Sequence, residues 1–333
     1  MTSLVRRPPV PLLQSIRRMY RFLLPAILVG AACAAEVPYE LAGHIVPEER
    51  ASVSLFSVAT PYSVSVLARD DGRFEFKKLP AGAYTLAIFV PARGEARKTV
   101  EVGPATADAH HRVSLTLHLK DSDFVFAAVR REHAVSTRQL SIPAKAQAAY
   151  EQAQKDLGRN DFDAAVTQLE KAVEMAPQFA SAWNNLGTIA YKRRQFDRAE
   201  ECFREALDQD PQSYEPLVNL GGVLVTEHKL DEALDYNLHA VLTRPGDALA
   251  NSQLGMTYFE VGNLDLAEKY LERAREIDPT HFSHPQLLLA EIHLRRDERK
   301  KAAADLEDFL KHHPDWPQAA LMRSEIAKLR SGS

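Results

Sequence analysis

Residues 183–211 read WNNLGTIAYKRRQFDRAEECFREALDQDP, and this stretch decides the fold of the second half of the chain. In the 34-residue frame 180–213, small residues stand in the eighth, twentieth and twenty-seventh places and a proline in the thirty-second: Gly187, Ala199, Ala206 and Pro211. Small side chains let two helices approach closely, and a proline cannot continue the hydrogen-bond ladder of a helix. The stretch therefore predicts two packed antiparallel helices that end before the proline.

The same spacing recurs in phase along the second half of the chain. The corresponding residues are Ala153, Ala165, Ala172 and Pro177 one step earlier, Gly221, Ala233, Ala240 and Pro245 one step later, and Gly255, Ala267, Ala274 and Pro279 in the step after that. One extra residue then enters, and a fifth unit carries Ala290, Ala302, Phe309 and Pro314. Self-similarity at a fixed period of roughly 20 to 50 residues is typical of solenoids.

These five units resemble the tetratricopeptide repeat. The resemblance covers residues 146–179, 180–213, 214–247, 248–281 and 283–316, and residues 317–330 follow as a capping helix. Gln152 and Ala153 replace a Leu-Gly pair in the first unit, and Asn237 replaces a bulky residue in the third. The resemblance implies an all-α solenoid whose concave face is lined by the first helix of every unit.

The resemblance also implies that this concave face binds a protein or peptide partner. The family's groove-facing places carry these residues here: Asn184, Asn185, Tyr191, Lys192, Asn219, Gln253, Phe259 and Arg295. An amide recurs in the sixth place of three units and offers both a donor and an acceptor to a peptide backbone. The alternative is that these amides are repeat consensus and only contact solvent. Lys192 is isolated, so the two-carboxylate clamp for chaperone tails is not predicted.

The first half of the chain, residues 36–120, has a period of two. Apolar and polar residues alternate in SVSLFSV, YSVSVLA, AYTLAIFV and RVSLTLHL, and turn signals at Gly72, Gly82 and Gly94 fall between apolar runs. Such alternation is typical of half-buried antiparallel strands. Short strands at this spacing predict a small β-sandwich, followed by a junction over residues 121–145.

The stretch DDGRFEFKKLPAGAYTLAI, residues 70–88, resembles the carboxypeptidase regulatory-like domain, a transthyretin-like sandwich of seven strands. Phe74, Phe76 and Tyr84 fit the pattern and are expected in the core, and LAGHI fits the opening strand of the family. The resemblance implies an accessory or interaction module. No HxxE zinc pair occurs in the chain, so peptidase activity is not implied.

Residues 1–35 have the pattern of a secretory signal peptide. Five arginines and no acidic residue precede the apolar run FLLPAILVGAACAA. Cleavage of the signal peptide after Ala35 fits the small-x-small rule. The run is too short to span a bilayer, so no membrane span is expected in the mature chain. Translation from Met1 or Met19 fits equally well. The protein is thus predicted to be exported, periplasmic or extracellular, with lipidation at Cys33 as the alternative.

Composition and motifs exclude several function classes. The 333 residues are 45% hydrophobic and 26% charged, which is close to globular averages. The formal net charge is −4, and removal of the signal peptide would take away five arginines and make the chain more acidic. The chain therefore lacks the basic charge that is typical of proteins that bind nucleic acid. Phosphate-binding loops and nucleophile elbows are absent, the histidine pairs lack a third ligand, and Cys202 has no adjacent base. Neither a cofactor nor a metal is expected, and the chain is predicted not to be an enzyme.

The sequence therefore predicts a multidomain protein, with a small antiparallel β-sandwich followed by an all-α solenoid of tetratricopeptide repeats. Its hypothetical function is that of a non-enzymatic adaptor or scaffold of the cell envelope, which binds a peptide or protein segment in the concave groove. The alternative hypothesis is a carbohydrate- or envelope-associated binding protein. In that case the sandwich recognises the ligand and the solenoid oligomerises.

Overall fold

The computed structural model describes residues 38–57, 63–91, 93–124, 141–314 and 316–331. The predicted signal peptide, with Met19 and Cys33, lies outside these residues, as does 125–140 of the predicted junction. Among the helices of the described ranges, none is long and apolar enough to cross a membrane.

The N-terminal domain has seven strands within the described residues. They are β1 (Tyr39–Val46), β2 (Ser52–Ser57), β3 (Ser63–Leu67), β4 (Arg73–Leu79), β5 (Gly82–Val90), β6 (Gly94–Val102) and β7 (Arg112–His118). One sheet has the order β4-β1-β7 and the other the order β3-β2-β5-β6. All pairs are antiparallel except β1 with β7, which run parallel and are distant in sequence, as a parallel pair requires.

The alternation seen in the sequence places every second side chain between the two sheets. Leu41, Val53, Leu55, Leu86 and Ile88 are fully buried there. Removing such side chains from water is the main driving force for packing two sheets face to face. The core of this domain is therefore the layer between the sheets, and the polar residues of each strand cover its outer faces.

One contact in this core requires a glycine. The Phe74 ring of β4 lies directly over Gly43 of β1, and a Cβ atom at Gly43 would stand 2.0 Å from Cζ of the ring. Phe74 itself is 5% exposed. The glycine that follows Leu-Ala in the first strand thus makes room for the aromatic residue predicted in the core.

The C-terminal part consists of helices. Within the described residues these are α1 (Ala144–Leu157), α2 (Phe162–Met175), α3 (Ala180–Lys192), α4 (Phe196–Gln209), α5 (Tyr214–Thr226), α6 (Leu230–Thr243), α7 (Ala248–Val261), α8 (Leu264–Ile277), α9 (Pro285–Arg295), α10 (Arg299–His312) and α11 (Ala319–Ser331). Consecutive helices pack as pairs from α1/α2 to α9/α10, and α11 packs against α10. The predicted fold class, a β-rich domain followed by a helical solenoid, is confirmed.

The small residues of the 34-residue pattern lie where helices cross. The fully buried members of this set are Ala165, Ala199, Ala233, Ala267 and Ala302 in the twentieth place and Ala172, Ala206, Ala240 and Ala274 in the twenty-seventh. At the eighth place, a Cβ atom on Gly187 would come within 2.6 Å of the Phe203 ring. Close packing of this kind leaves no space for larger side chains, which explains the pattern.

The third unit departs from the pattern through an amide in the core. Asn237 of α6 is fully buried, and its Nδ2 donates a hydrogen bond to Thr257 Oγ1 of α7 at 2.9 Å. A Cβ atom on Gly221 would stand 2.0 Å from Asn237 Oδ1. The amide therefore fills the place of the usual bulky side chain and ties one helix pair to the next.

Candidate functional site

A cleft lies between the concave face of the solenoid and the sheet β3-β2-β5-β6. Its volume is about 340 Å³. The first helices of successive pairs, α1, α3, α5 and α7, contribute one wall, together with the turns that precede α5 and follow α8. Clefts at domain interfaces are common places for ligands.

The opposite wall is the outer face of the four-stranded sheet. The strand register aligns Ser63, Phe56, Thr85 and Thr99 in one row across the sheet and Ser65, Ser54, Ala87 and Arg97 in the next. Most of these side chains are small, so the sheet approaches the helices closely. Arg97 is the only long side chain of the two rows that carries a charge.

Arg97 reaches from the sheet into the groove. Its Nε donates to Glu95 Oε1 of the same strand at 2.7 Å. Its terminal nitrogens lie 3.6 Å from Glu215 Oε1 and 3.8 Å from Asp247 Oδ2, both on the solenoid. Burial lowers the pKa of Arg97, but the three carboxylates outweigh burial and hold the pKa above its ordinary value. The guanidinium is therefore charged, and it links the two domains electrostatically.

A backbone hydrogen bond also joins the domains. The Thr99 N–H of β6 donates to Asp278 Oδ2, in the turn after α8, at 3.1 Å. The other oxygen of this carboxylate accepts from the Thr280 N–H at 3.1 Å and from the Thr280 hydroxyl at 2.8 Å. Asp278 is 6% exposed, so its orientation is fixed by these bonds.

A second guanidinium, that of Arg244, is buried beside Tyr214 of the cleft lining. Arg244 lies 3.8 Å above the centre of the Tyr214 ring, and its Nη1 is 3.6 Å from Glu215 Oε1. Burial, and then the nearby charge of Arg97, lower the pKa of Arg244 to about 9. Burial likewise raises the pKa of Tyr214 well above its ordinary value, so the phenol is neutral at neutral pH. Both guanidinium groups thus lie near the Tyr214 ring, at 5.9 Å for Arg97 and 3.8 Å for Arg244.

Three of the residues predicted for the groove meet in this cleft. Asn184, Asn185 and Asn219 all line it. The Asn219 Nδ2 donates to Asn184 Oδ1 at 3.0 Å, and the Asn185 Nδ2 donates to the Tyr150 hydroxyl at 3.2 Å. These amides therefore connect the first helices of neighbouring repeats as well as facing the cleft. Whether they contact a partner stays a prediction.

The other predicted groove residues lie outside the lining of the cleft and make local contacts. Tyr191 packs on Phe196, Lys192 lies over Phe162, Phe259 lies under Arg295, and Gln253 reaches the surface of α5 at Gly222. Burial lowers the pKa of Lys192 to about 8. Arg295 also pairs with Glu291 at 2.8 Å. Their role as partner contacts stays a prediction too.

Four further residues shape the cleft and were not predicted as site residues: Arg97, Tyr214, Asp247 and Asp278. For one of these residues, Asp278, the repeat frame carries a signal, because charged residues recur in its place. The thirty-first place carries a charged residue in three successive units, Asp210, Arg244 and Asp278, and the thirty-fourth place carries Asp247. No periodic signal marks Arg97, because its place depends on how the two domains meet.

A second cavity, of about 410 Å³, lies on the outer face of the three-stranded sheet. Its charged lining residues are Arg69, Arg73, Glu75 and Arg112, and His44 and small polar residues of β7 also line it. Arg112 Nη2 lies 3.4 Å from Glu75 Oε1. This face faces away from the solenoid and carries more cations than carboxylates.

The described residues hold no group of three or more His, Cys, Asp or Glu side chains that could bind an ion. Cys202 is fully buried, and burial raises the pKa of its thiol to about 11. A neutral, enclosed thiol is a poor nucleophile.

Comparison with known proteins agrees with the repeat pattern. Residues 150–214 and 248–281 match family models described as tetratricopeptide repeat. The BBSome complex member BBS4 homolog of Drosophila melanogaster is 27% identical over 116 residues, which are 35% of this chain and 24% of that protein. The human cell division cycle protein 16 homolog is 29% identical over 113 residues, 31% of this chain and 18% of that protein. The chain thus spans about a quarter or less of these relatives.

Solved structures show the same fold. PilW, a type IV pilus biogenesis factor, superimposes with a TM-score of 0.51 at 23% identity, over 57% of this chain and 88% of PilW. PilF of Pseudomonas aeruginosa superimposes with a TM-score of 0.50 at 22% identity, over 59% of this chain and 87% of PilF. The helical part of this chain is therefore a solenoid of tetratricopeptide repeats that follows a β-rich N-terminal domain.

Proposed function

We propose that the protein is an exported, non-enzymatic adaptor of the cell envelope that binds a peptide or protein segment in the concave groove of its repeats. Proteins with tetratricopeptide repeats are protein-interaction scaffolds. The observation that carries the proposal for this chain is the cleft in which Asn184, Asn185 and Asn219 meet.

The amides of the cleft suit a peptide backbone. The hydrogen bond between Asn219 and Asn184 uses the nitrogen of the first and the oxygen of the second. The Asn184 amide nitrogen and the Asn219 amide oxygen are then a donor and an acceptor on adjacent helices. A peptide unit presents the complementary pair, an acceptor and a donor.

For the N-terminal domain, we propose the carboxypeptidase regulatory-like family, with an accessory rather than a catalytic role. Seven described strands in two sheets support this proposal, as do the buried Phe74, Phe76 and Tyr84. Gly72 has φ of 71°, which suits the turn before β4.

The proposal of export rests on the pattern of residues 1–35. Fractionation of cells, with N-terminal sequencing of the mature protein, tests it, and an uncut N-terminus in the cytoplasm would contradict it.

A site-specific photo-crosslinker tests the groove. Placed at Thr188, which lines the cleft, it should capture the partner in the envelope, whereas the same probe at the exposed Gln147 of α1 should not. The N184A/N219A double substitution should reduce the yield at Thr188 at least fivefold. Capture at both positions with equal yield, or capture that does not respond to the double substitution, would rule the groove out.

The second candidate function, a ligand site on the sandwich, is favoured by the cavity on the three-stranded sheet. An acidic polysaccharide would meet Arg69, Arg73 and Arg112 there. Pull-down with immobilised alginate or hyaluronan tests this candidate, with the R73A/R112A double substitution as the comparison. Retention that is equal for both proteins would remove it.

A further inference from the structure

Strand β6 presents a free backbone edge to the groove. Among the described strands it pairs with β5 alone, since it stands last in the order β3-β2-β5-β6. Thr99 lies opposite Thr85 of β5, and its N–H points the other way, to Asp278 of the solenoid. An unpaired strand edge is a template for recognition of extended chain. Here the solenoid binds it through a side-chain carboxylate.

The side chain of Arg97, two residues before Thr99 in β6, enters the same groove. Residues i and i+2 of a strand lie on one face, about 7 Å apart. Arg97 and Thr99 therefore present a cation and a backbone donor in a fixed relation. The solenoid meets the cation with Glu215 and Asp247, and the donor with Asp278.

The contacts of Arg97 across the domain interface are longer than those within its own strand. Its bond to Glu95 is 2.7 Å, whereas its approaches to Glu215 and Asp247 are 3.6 and 3.8 Å. Close pairs between guanidinium and carboxylate are about 2.7–2.9 Å long. An arginine that is not held back by Glu95 can therefore approach the groove carboxylates more closely than Arg97 does.

The groove also favours arginine over lysine. A guanidinium can address two carboxylates at once and stack on an aromatic ring, whereas an ammonium acts as a point charge. The Arg97 guanidinium carbon lies 5.9 Å from the centre of the Tyr214 ring, and that of Arg244 lies 3.8 Å from the same centre. The Tyr214 ring, which lines the cleft, thus already carries a guanidinium over one of its faces in this chain.

From these contacts we infer that the groove recognises an extended segment with an arginine, and that β6 holds the place of this segment within the chain. The inference rests on the proposed function and specifies its partner. The partner segment carries Arg at one position and a free backbone N–H two residues later. It binds by displacing β6, so the domain contact and the partner compete for Glu215, Asp247 and Asp278.

A fluorescent peptide with the sequence of residues 94–102, GEARKTVEV, is the probe. Its affinity is measured by anisotropy against the full chain and against the full chain with R97A, which removes the competing side chain. We expect at least tenfold tighter binding to R97A. A peptide with glutamine in place of its arginine should bind the same protein at least tenfold more weakly.

A matched pair of acidic residues provides the control. Asp247 and Asp161 both cap a helix, accepting a hydrogen bond from Ala250 N at 3.0 Å and from Ala164 N at 3.1 Å. Asparagine keeps such a cap but removes the charge. In the R97A background, D247N should weaken binding of the arginine peptide at least fivefold, and D161N should leave it unchanged.

The inference would be overturned if the arginine peptide and the glutamine peptide bound with equal affinity, both to the full chain and to R97A. Equal effects of D247N and D161N would overturn it too. Thermal unfolding of each variant verifies folding, and the two peptides compared on the unaltered chain decide the question if R97A does not fold. If the peptides fail while cross-linking at Thr188 still depends on Asn184 and Asn219, the groove function stands and only the arginine specificity falls.

Discussion

The guanidinium of Arg97 lies 3.8 Å from the carboxylate of Asp247, although the first belongs to the sandwich and the second caps a helix of the solenoid. The two domains thus share a charged contact. Domain contacts of this kind are often mobile.

Replacing Arg97 with alanine is expected to separate the domains. The change leaves Asp247, which is 6% exposed, without its nearest cation from the sandwich, at a cost of about 1–3 kcal/mol to the domain contact. Small-angle scattering should show a larger radius of gyration for R97A than for the unaltered chain. R50A is the control, because Arg50 pairs with Asp70 on the exposed surface of the sandwich. Superimposable profiles for R97A and the unaltered chain would contradict the expectation.

The solenoid was predictable from the sequence because its determinants are local and repeat. The eighth-place glycines each lie against a residue of the same unit: Gly187 against Phe203, Gly221 against Asn237 and Gly255 against Leu271. Most strands were predictable for the same reason, since alternation marks one buried face. The burial pattern of β2, for example, alternates at Val53 and Leu55.

The central part of the cleft was not predictable in this way. In β6 the sequence predicts only the turn at Gly94, because Arg97 and Lys98 interrupt the alternation of apolar residues. Lys98 lies 3.2 Å from Asp123, so its ammonium is satisfied at the edge of the sandwich. The contact of Arg97 with Asp247 depends on the docking of two domains, and no spacing within either domain encodes it.

A methyl group at Gly221 is expected to destabilise the third repeat. Its Cβ atom would stand 2.0 Å from Asn237 Oδ1, and the hydrogen bond from Asn237 to Thr257 holds that amide in place. Overpacking of this kind costs about 1–3 kcal/mol. Urea unfolding of G221A should show the loss. G103A is the control, because its Cβ atom would lie 3.8 Å from Ala81 Cβ.

Truncating the amide makes this test specific. In an N237A background the space beside Gly221 is empty, so adding G221A should cost less than it does in the unaltered chain. The coupling between the two positions is expected to reach about 1 kcal/mol or more, since the side chains are in direct contact. Additive effects would show that the packing of Asn237 against Gly221 does not limit stability.

His284 should make the solenoid sensitive to acid. Burial, followed by the proximity of His313 and His281, lowers the pKa of His284 to about 3. Between pH 6.5 and 3 the unfolded chain binds a proton at this residue that the folded chain does not bind. Stability from this residue is therefore present above pH 6.5 and is lost as the pH falls, by about 1–2 kcal/mol at pH 5.

Asparagine at this position tests the assignment. His284 has φ of 48°, a left-handed conformation that asparagine tolerates well. Urea unfolding at pH 7 and pH 5 should show that H284N loses less stability on acidification than the unaltered chain. Equal losses would contradict the burial of a neutral imidazole.

His293 is the contrasting histidine. Its Nδ1 lies 2.6 Å from Asp305 Oδ2 and its Nε2 lies 3.0 Å from Glu268 Oε1, and the hydrogen bond to Asp305 raises its pKa despite burial. The stability that it contributes is fully present below pH 6.5 and is lost as the pH rises through the raised pKa. H293N should therefore be more damaging at pH 5 than at pH 8. The opposite pH trends of H284N and H293N distinguish these two sites from a general effect of acid.

Cys202 is expected to be unreactive in the folded protein. Its side chain is fully buried in α4, and burial raises the pKa of the thiol to about 11. Only the thiolate attacks an aromatic disulfide reagent, and both its population and its access are suppressed.

In a C33S background, labelling by such a reagent at pH 7.5 should be at least about 100-fold slower than in urea-unfolded protein. Because reaction requires opening of the second repeat, the labelling rate should rise with urea in parallel with unfolding. Rapid labelling without urea would contradict this prediction and would show that the helix pair α3/α4 opens readily.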